Sequence, residues 1–161
     1  MKSFVIYDSL YGNTEIIAQS ISKALGKKGE VTVFRVGEVV LQQLMGLDLL
    51  VVGSPTQRLR PTIVITDFLN SIPTKGLKGV NVAAFDTRFT QSKIDSLPVL
   101  PVVVRLFGGY AASPIANALK KKGGKLIAPP QGFYVEDTEG PLKDGELERA
   151  AEWVDSWVNK T

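Results

Sequence analysis

The sequence predicts an α/β fold in which a five-stranded parallel sheet is covered by helices on both faces. Three observations lead to this prediction. Short apolar runs alternate with stretches of helical spacing. Most of the runs are apolar at every position, which is typical of strands buried between two helical layers. Three of the five helical stretches begin at or next to proline or end in lysines followed by glycine, as helices commonly do. We expect all 161 residues to form a single domain, 1–161.

The elements are expected to alternate along the chain. The predicted strands are 3–7, 30–36, 49–53, 81–85 and a last strand made of 125–128 and 132–135, which Pro129 and Pro130 interrupt. The predicted helices are 14–28, 37–45, 61–71, 113–122 and 145–158. Residues 91–112 are less regular and longer than a simple connection needs. They fit a short helix that covers the core, and a substrate or dimer surface is the alternative.

Composition excludes several kinds of chemistry. The chain has no cysteine and no histidine, which excludes disulfides, iron–sulfur clusters and thiolate zinc sites and removes the commonest general base. Any redox chemistry therefore needs a bound organic cofactor. We predict neither a catalytic side chain nor a metal site. No signal peptide and no membrane-length apolar stretch is visible, so a cytoplasmic location is expected.

The first loop is rich in hydrogen-bond donors. Residues 8–15 read Asp-Ser-Leu-Tyr-Gly-Asn-Thr-Glu and join the first strand to the first helix. Ser9, Tyr11, Asn13 and Thr14 can donate, and Gly12 lets the backbone approach a ligand closely. One residue would be enough to cap the helix, so the excess of donors favours a phosphate site. The loop has no lysine or arginine, which disfavours a Walker-type nucleotide site and suits the phosphomonoester of a permanently held cofactor.

Two further loops are expected at the same edge of the sheet. Residues 53–62 follow the third strand and residues 85–90 follow the fourth. In open parallel sheets, ligands bind beyond the carboxyl ends of the strands, at the point where the strand order reverses. The three loops together therefore predict the ligand site.

The residues of these loops resemble the flavodoxin family. "SLYGNTE" resembles its FMN-phosphate loop, and "GSPTQ" and "FDTR" resemble its two flavin-ring loops. The resemblance implies a flavodoxin-like doubly wound sheet, strand order 2-1-3-4-5, with non-covalently bound FMN. It implies a phosphate loop made of Ser9, Leu10, Tyr11, Gly12, Asn13 and Thr14. It implies that one side of the ring is bordered by Ser54, Pro55, Thr56, Gln57, Arg58 and Leu59, and the other by Asp86, Thr87, Arg88 and Phe89.

The ring loops depart from the family in two respects. Family members often hold the flavin between aromatic side chains, whereas residues 54–61 contain none. Phe89 is the only aromatic near either ring loop that is expected on its exposed side. The tryptophans, Trp153 and Trp157, lie on the last predicted helix. The loops also carry Arg58, Arg60 and Arg88. Each of them alone could be an ordinary surface arginine. Together they suggest a positive potential beside the flavin. A site for an anionic substrate or for the phosphates of NAD(P)H is the alternative.

The sequence therefore predicts an FMN-binding redox protein, an electron carrier in the first instance. An FMN-dependent NAD(P)H:quinone-type reductase and a non-catalytic flavin-binding sensor or adaptor remain as alternatives. The expected partner is a redox protein or a small electron acceptor. Neither nucleic acid nor a membrane is expected as a partner, since no basic stripe with interleaved aromatics is present.

Overall fold

The computed structural model describes residues 1–99, 102 and 109–159. The strands are β1 (Lys2–Tyr7), β2 (Glu30–Arg35), β3 (Leu49–Pro55), β4 (Asn81–Phe89), β5 (Lys125–Leu126) and β6 (Gln131–Val135). The α-helices are α1 (Asn13–Leu25), α2 (Ile63–Ser71), α3 (Gln91–Asp95), α4 (Ala112–Lys121) and α5 (Glu146–Val158). Two 3₁₀ helices, Val36–Glu38 and Leu41–Leu44, join β2 to β3.

The strands form one parallel sheet in the order β2-β1-β3-β4-β5, and β6 also pairs with β4. This confirms the predicted fold class and strand order. β5 and β6 pair with the two ends of β4, because Lys125 lies opposite Asn81 while Gln131 lies opposite Phe85. Pro129 and Pro130 fall between them and cannot donate to the ladder. The interrupted last strand is thus present as predicted.

Alternating side chains of the sheet build an apolar layer on each face. Ile6, Val52 and Ala84 pack with α2 and α4 in one layer. Val5 and Val51 pack with α1 and α5 in the other. Trp153 and Trp157 belong to this second layer, where their rings meet edge to face with centroids 5.5 Å apart. Both tryptophans are therefore core residues.

Two elements differ from the prediction. Residues 37–45 do not form an α-helix. The segment divides into the two 3₁₀ helices because Val39 and Val40 are extended, a conformation that suits β-branched side chains. β4 runs to Phe89 rather than ending at residue 85, because β6 continues the ladder along it. The predicted loop 85–90 is therefore mostly strand.

The segment between β4 and α4 begins with a short helix. In α3, the Ile94 side chain is buried and Thr90 caps the helix by accepting a hydrogen bond from the Lys93 N–H. The prediction that 91–112 contains a short helix covering the core is thus confirmed for α3, at the start of this segment. Much of the remainder lies outside the described residues.

Candidate functional site

A cleft opens at the carboxyl edge of the sheet, between the β1–α1 connection, the β3–α2 connection and the end of β4. All the residues predicted to bind FMN line it except Gly12, Ser54 and Asp86. The lining residues are Ser9, Leu10, Tyr11, Asn13, Thr14, Pro55, Thr56, Gln57, Arg58, Leu59, Thr87, Arg88, Phe89, Ile94, Tyr110, Val135 and Thr138.

The N-terminus of α1 lies at one end of this cleft. Gly12 precedes the helix with φ of 90°, a left-handed conformation that favours glycine, and its N–H donates to Ser9 Oγ at 3.0 Å. Among the described residues, no side chain caps the first turn of α1. The first N–H groups of a helix have no partner within the helix and carry its partial positive charge. These unpartnered N–H groups therefore favour an anion-binding site over a simple helix cap.

Besides Ser9, two of the predicted phosphate ligands already have protein partners. Thr14 Oγ1 and Thr87 Oγ1 lie 2.8 Å apart and are both buried. One hydroxyl of such a pair donates and the other accepts, so one hydroxyl hydrogen remains for a ligand. Asn13 Nδ2 donates to the Glu139 carbonyl at 3.1 Å. The N–H groups at the start of α1 therefore remain as donors, and the Ser9 hydroxyl, which accepts the Gly12 N–H, can still donate.

A cation braces the phosphate loop from outside it. The Arg35 guanidinium, at the end of β2, donates to the Ser9 carbonyl at 2.6 Å and lies 3.8 Å from Asp8 Oδ1. β2 and β1 are paired so that Arg35 stands opposite Tyr7. Arg35 supports the loop backbone rather than lining the cleft. Only the parallel pairing reveals it, because the sequence separates Arg35 from the loop.

The β3–α2 connection is closed by a tight turn. Ser54 is fully buried, and its Oγ accepts the Thr62 N–H at 3.0 Å, which holds the two ends of the connection together. Gln57 and Arg60 exchange backbone hydrogen bonds of 2.9 and 2.8 Å. The two residues between them have positive φ, 47° for Arg58 and 65° for Leu59. Such turns favour Asn and Gly, so these side chains are placed at the cleft at a conformational cost of about 1–2 kcal/mol each.

Four residues of the cleft were missed by the sequence interpretation: Ile94, Tyr110, Val135 and Thr138. Val135 ends β6, whose pairing with β4 brings it to the cleft. Thr138 lies in a loop that Asn13 holds through Glu139, and Lys93 Nζ holds the same loop through Asp137 at 3.1 Å. The Thr138 N–H and the Lys93 ammonium lower the pKa of the Asp137 carboxyl.

The three arginines are not equivalent. Arg58 is exposed and lines the cleft. Arg60 lines a neighbouring groove between α2 and α4. Arg88 lines the cleft but is ion-paired with Asp86, the Nε–Oδ1 distance being 2.6 Å. The three arginines thus have different surroundings, and among the described residues Arg58 is the arginine that presents an exposed charge to the cleft. The positive potential beside the flavin stays a prediction.

We predict that Arg58→Asn raises the free energy of unfolding by about 1 kcal/mol, because Asn tolerates the left-handed conformation better than Arg. Arg60→Asn is the matched control, since it removes the same charge from the same turn at a residue without positive φ. Urea unfolding measures both variants. Equal changes in the two would show that the left-handed backbone at Arg58 carries no strain.

Comparison with solved structures places the chain among similar folds. An archaeal flavodoxin is 22% identical with a TM-score of 0.77, over 99% of this chain and 98% of that one. Flavodoxin 1 from Bacillus cereus is 17% identical with a TM-score of 0.72, over 100% and 99%. Rubredoxin oxygen:oxidoreductase from Desulfovibrio gigas is 17% identical with a TM-score of 0.72, over 99% of this chain and 35% of that one. These similarities show the fold.

A search of curated protein sequences gave no match. The sequence profile of the family described as Flavodoxin matches residues 5–153, which include all three segments that line the cleft. With that match over most of its length, and with the strand order and cleft described above, the chain belongs to the flavodoxin family.

Proposed function

We propose that this protein is an electron carrier that works through FMN held non-covalently in the cleft. Flavodoxins bind FMN non-covalently and carry electrons. The observation that supports the proposal most strongly is the α1 N-terminus, which has no side-chain cap among the described residues and lies at one end of the cleft. Nothing in the described part of the chain favours the reductase or sensor alternatives.

The chemistry of the cleft fits FMN. The cofactor ends in one phosphomonoester, and the α1 N-terminus offers N–H groups and a helix dipole to such an anion. Residues 9–14 would hold the phosphate. The rest of the cleft offers Pro55, Leu59, Phe89 and Tyr110, whose apolar surfaces suit a flavin ring. The bound cofactor supplies the electron-carrying chemistry, while these residues bind it, orient it and exclude water.

The carrier role implies a redox partner, either a protein or a small electron acceptor. Leu10 and Tyr11 stand at the mouth of the cleft with about half of each residue exposed, at 50% and 53%. Exposed apolar groups at the cofactor site suit a transient contact with such a partner. Among the described residues, no helix is both long and apolar enough to cross a membrane.

A charge placed at the helix N-terminus tests the phosphate site. Asn13→Asp should weaken FMN binding about tenfold or more, equivalent to 1.4 kcal/mol, because a carboxylate repels the phosphate. Riboflavin, which has no phosphate, should be affected much less. Asn13→Ala is the control, since it removes the same hydrogen bond to Glu139 without adding charge. Fluorescence titration of the apoprotein gives both affinities, and equal weakening of FMN and riboflavin would disprove the phosphate site.

Electron transfer tests the carrier role directly. The FMN-loaded protein, reduced photochemically without oxygen, should pass electrons to cytochrome c within seconds. NADH or NADPH should leave the bound flavin oxidised over minutes, as followed by its visible absorbance. Free FMN and the apoprotein are the controls. Rapid bleaching by NAD(P)H with repeated turnover of a quinone would identify a reductase instead.

A further inference from the structure

A fully buried carboxylate lies directly behind the cleft. Asp86 has no exposed surface, and its Oδ2 accepts the Ala112 N–H at 2.7 Å. It also accepts a hydrogen bond from the Thr56 hydroxyl, which itself accepts the Ala111 N–H at 3.0 Å. One carboxylate therefore connects the β3–α2 connection, β4 and the start of α4.

Arg88 occupies the space between this carboxylate and the cleft. Its Nε and terminal nitrogen donate to the two Asp86 oxygens at 2.6 and 2.8 Å, the bidentate geometry of strong ion pairs. The Tyr110 ring covers the guanidinium, with its centroid 3.7 Å from Cζ. A Cβ at Gly132 would lie 2.1 Å from Arg88 Nε, so a larger residue there would displace the arginine.

The charges of the Asp86–Arg88 pair act strongly on their surroundings because both side chains are largely shielded from solvent. Burial raises the pKa of the Asp86 carboxyl, and the hydrogen bond and positive charge of Arg88 act in the opposite direction. The Arg88 side chain is only 18% exposed, so its charge is poorly screened by solvent. An unpaired guanidinium at this position would act strongly on any ligand in the cleft, whereas the paired one acts much less.

We propose that Asp86 is a positioning residue, which keeps Arg88 charge-compensated and stacked so that Tyr110 forms a fixed wall of the flavin site. The inference rests on the proposed FMN function and adds two roles to it. Tyr110 supplies the aromatic surface that residues 54–61 lack. Asp86 sets the electrostatic potential at the ring without contacting the ligand, since it does not line the cleft.

A purely structural ion pair makes a different prediction from this one. If the pair only holds the fold together, Asp86→Asn and the double variant Asp86→Asn/Arg88→Gln should change the midpoint potential of bound FMN by the same amount. If the pair compensates charge, Asp86→Asn alone leaves a positive charge beside the ring, while the double variant restores neutrality. The midpoint potentials of bound FMN separate the two cases.

In Asp86→Asn, we expect the affinity for reduced FMN to rise about tenfold relative to the affinity for oxidised FMN. This corresponds to a midpoint potential ~59 mV higher for a one-electron couple. The double variant should return to within about threefold of the wild type. Spectroelectrochemical titration measures both. Unchanged potential in Asp86→Asn, or an equal shift in the double variant, would overturn the inference.

The apoprotein gives a second readout that needs no flavin. The Arg88 Nε–H signal in ¹⁵N NMR, assigned by its loss in Arg88→Gln, should exchange slowly with water and should shift in Tyr110→Leu. Tyr134→Leu is the matched control, because Tyr134 lies opposite Arg88 on β6 while the guanidinium over its ring is that of Arg149, at 4.9 Å. An Arg88 signal that exchanges as fast as that of exposed Arg58 would overturn the inference even if Asp86→Asn does not fold.

Tyr110→Leu should also weaken FMN binding about tenfold, whereas Tyr134→Leu should leave it unchanged. If both variants bind FMN like the wild type, Tyr110 is not a wall of the site. If the wild type itself binds no FMN while the Arg88 signal is protected, the proposed function fails and the ion pair stands. The two failures are thus distinguishable.

Discussion

The backbone ladder along β4 is the constraint on which the cleft depends. β4 pairs with β3 as far as Thr87 and with β6 as far as Phe89, so the sheet continues beyond the point where an apolar strand would end. Successive side chains of a strand face opposite sides. Thr87 therefore meets the N-terminus of α1 on one side, where it bonds to Thr14, while Asp86 and Arg88 face α4 on the other. One strand thus positions both the phosphate end and the ring side of the site.

The charged and polar groups also differ between the two ends of the cleft. At the phosphate end, attraction comes from backbone N–H groups and the helix dipole, and Arg35 supports the loop through the Ser9 carbonyl. At the ring side, the partly buried Arg88 is paired with Asp86, and exposed Arg58 is held on a turn with positive φ. With this arrangement, we expect the site to attract an anionic end group strongly and to leave a weaker positive potential at the ring. This arrangement suits a cofactor whose charge lies at one end.

Much of this could be predicted from the sequence, since local patterns determine it. The apolar runs predicted the strands correctly, and the Ser9–Thr14 donors predicted a phosphate loop, which stays a prediction. The failures at the site depended on pairing between distant segments, whereas the failed helix 37–45 had a local cause in Val39 and Val40. The polar residues after Phe85 read as a loop because their partner strand, β6, lies more than forty positions away along the chain. Arg35 and Tyr110 reach the site through pairing and packing, and the bond between Arg88 and Asp86 needs both side chains in place.

A crystal structure of the protein with FMN tests the proposed site most directly. The phosphate should lie within about 3 Å of N–H groups in the first turn of α1. The ring should lie between Leu59 and the Phe89–Tyr110 side of the cleft, with Arg88 still bonded to Asp86. A phosphate bound away from α1, or a flavin outside the cleft, would show that these residues serve a different ligand.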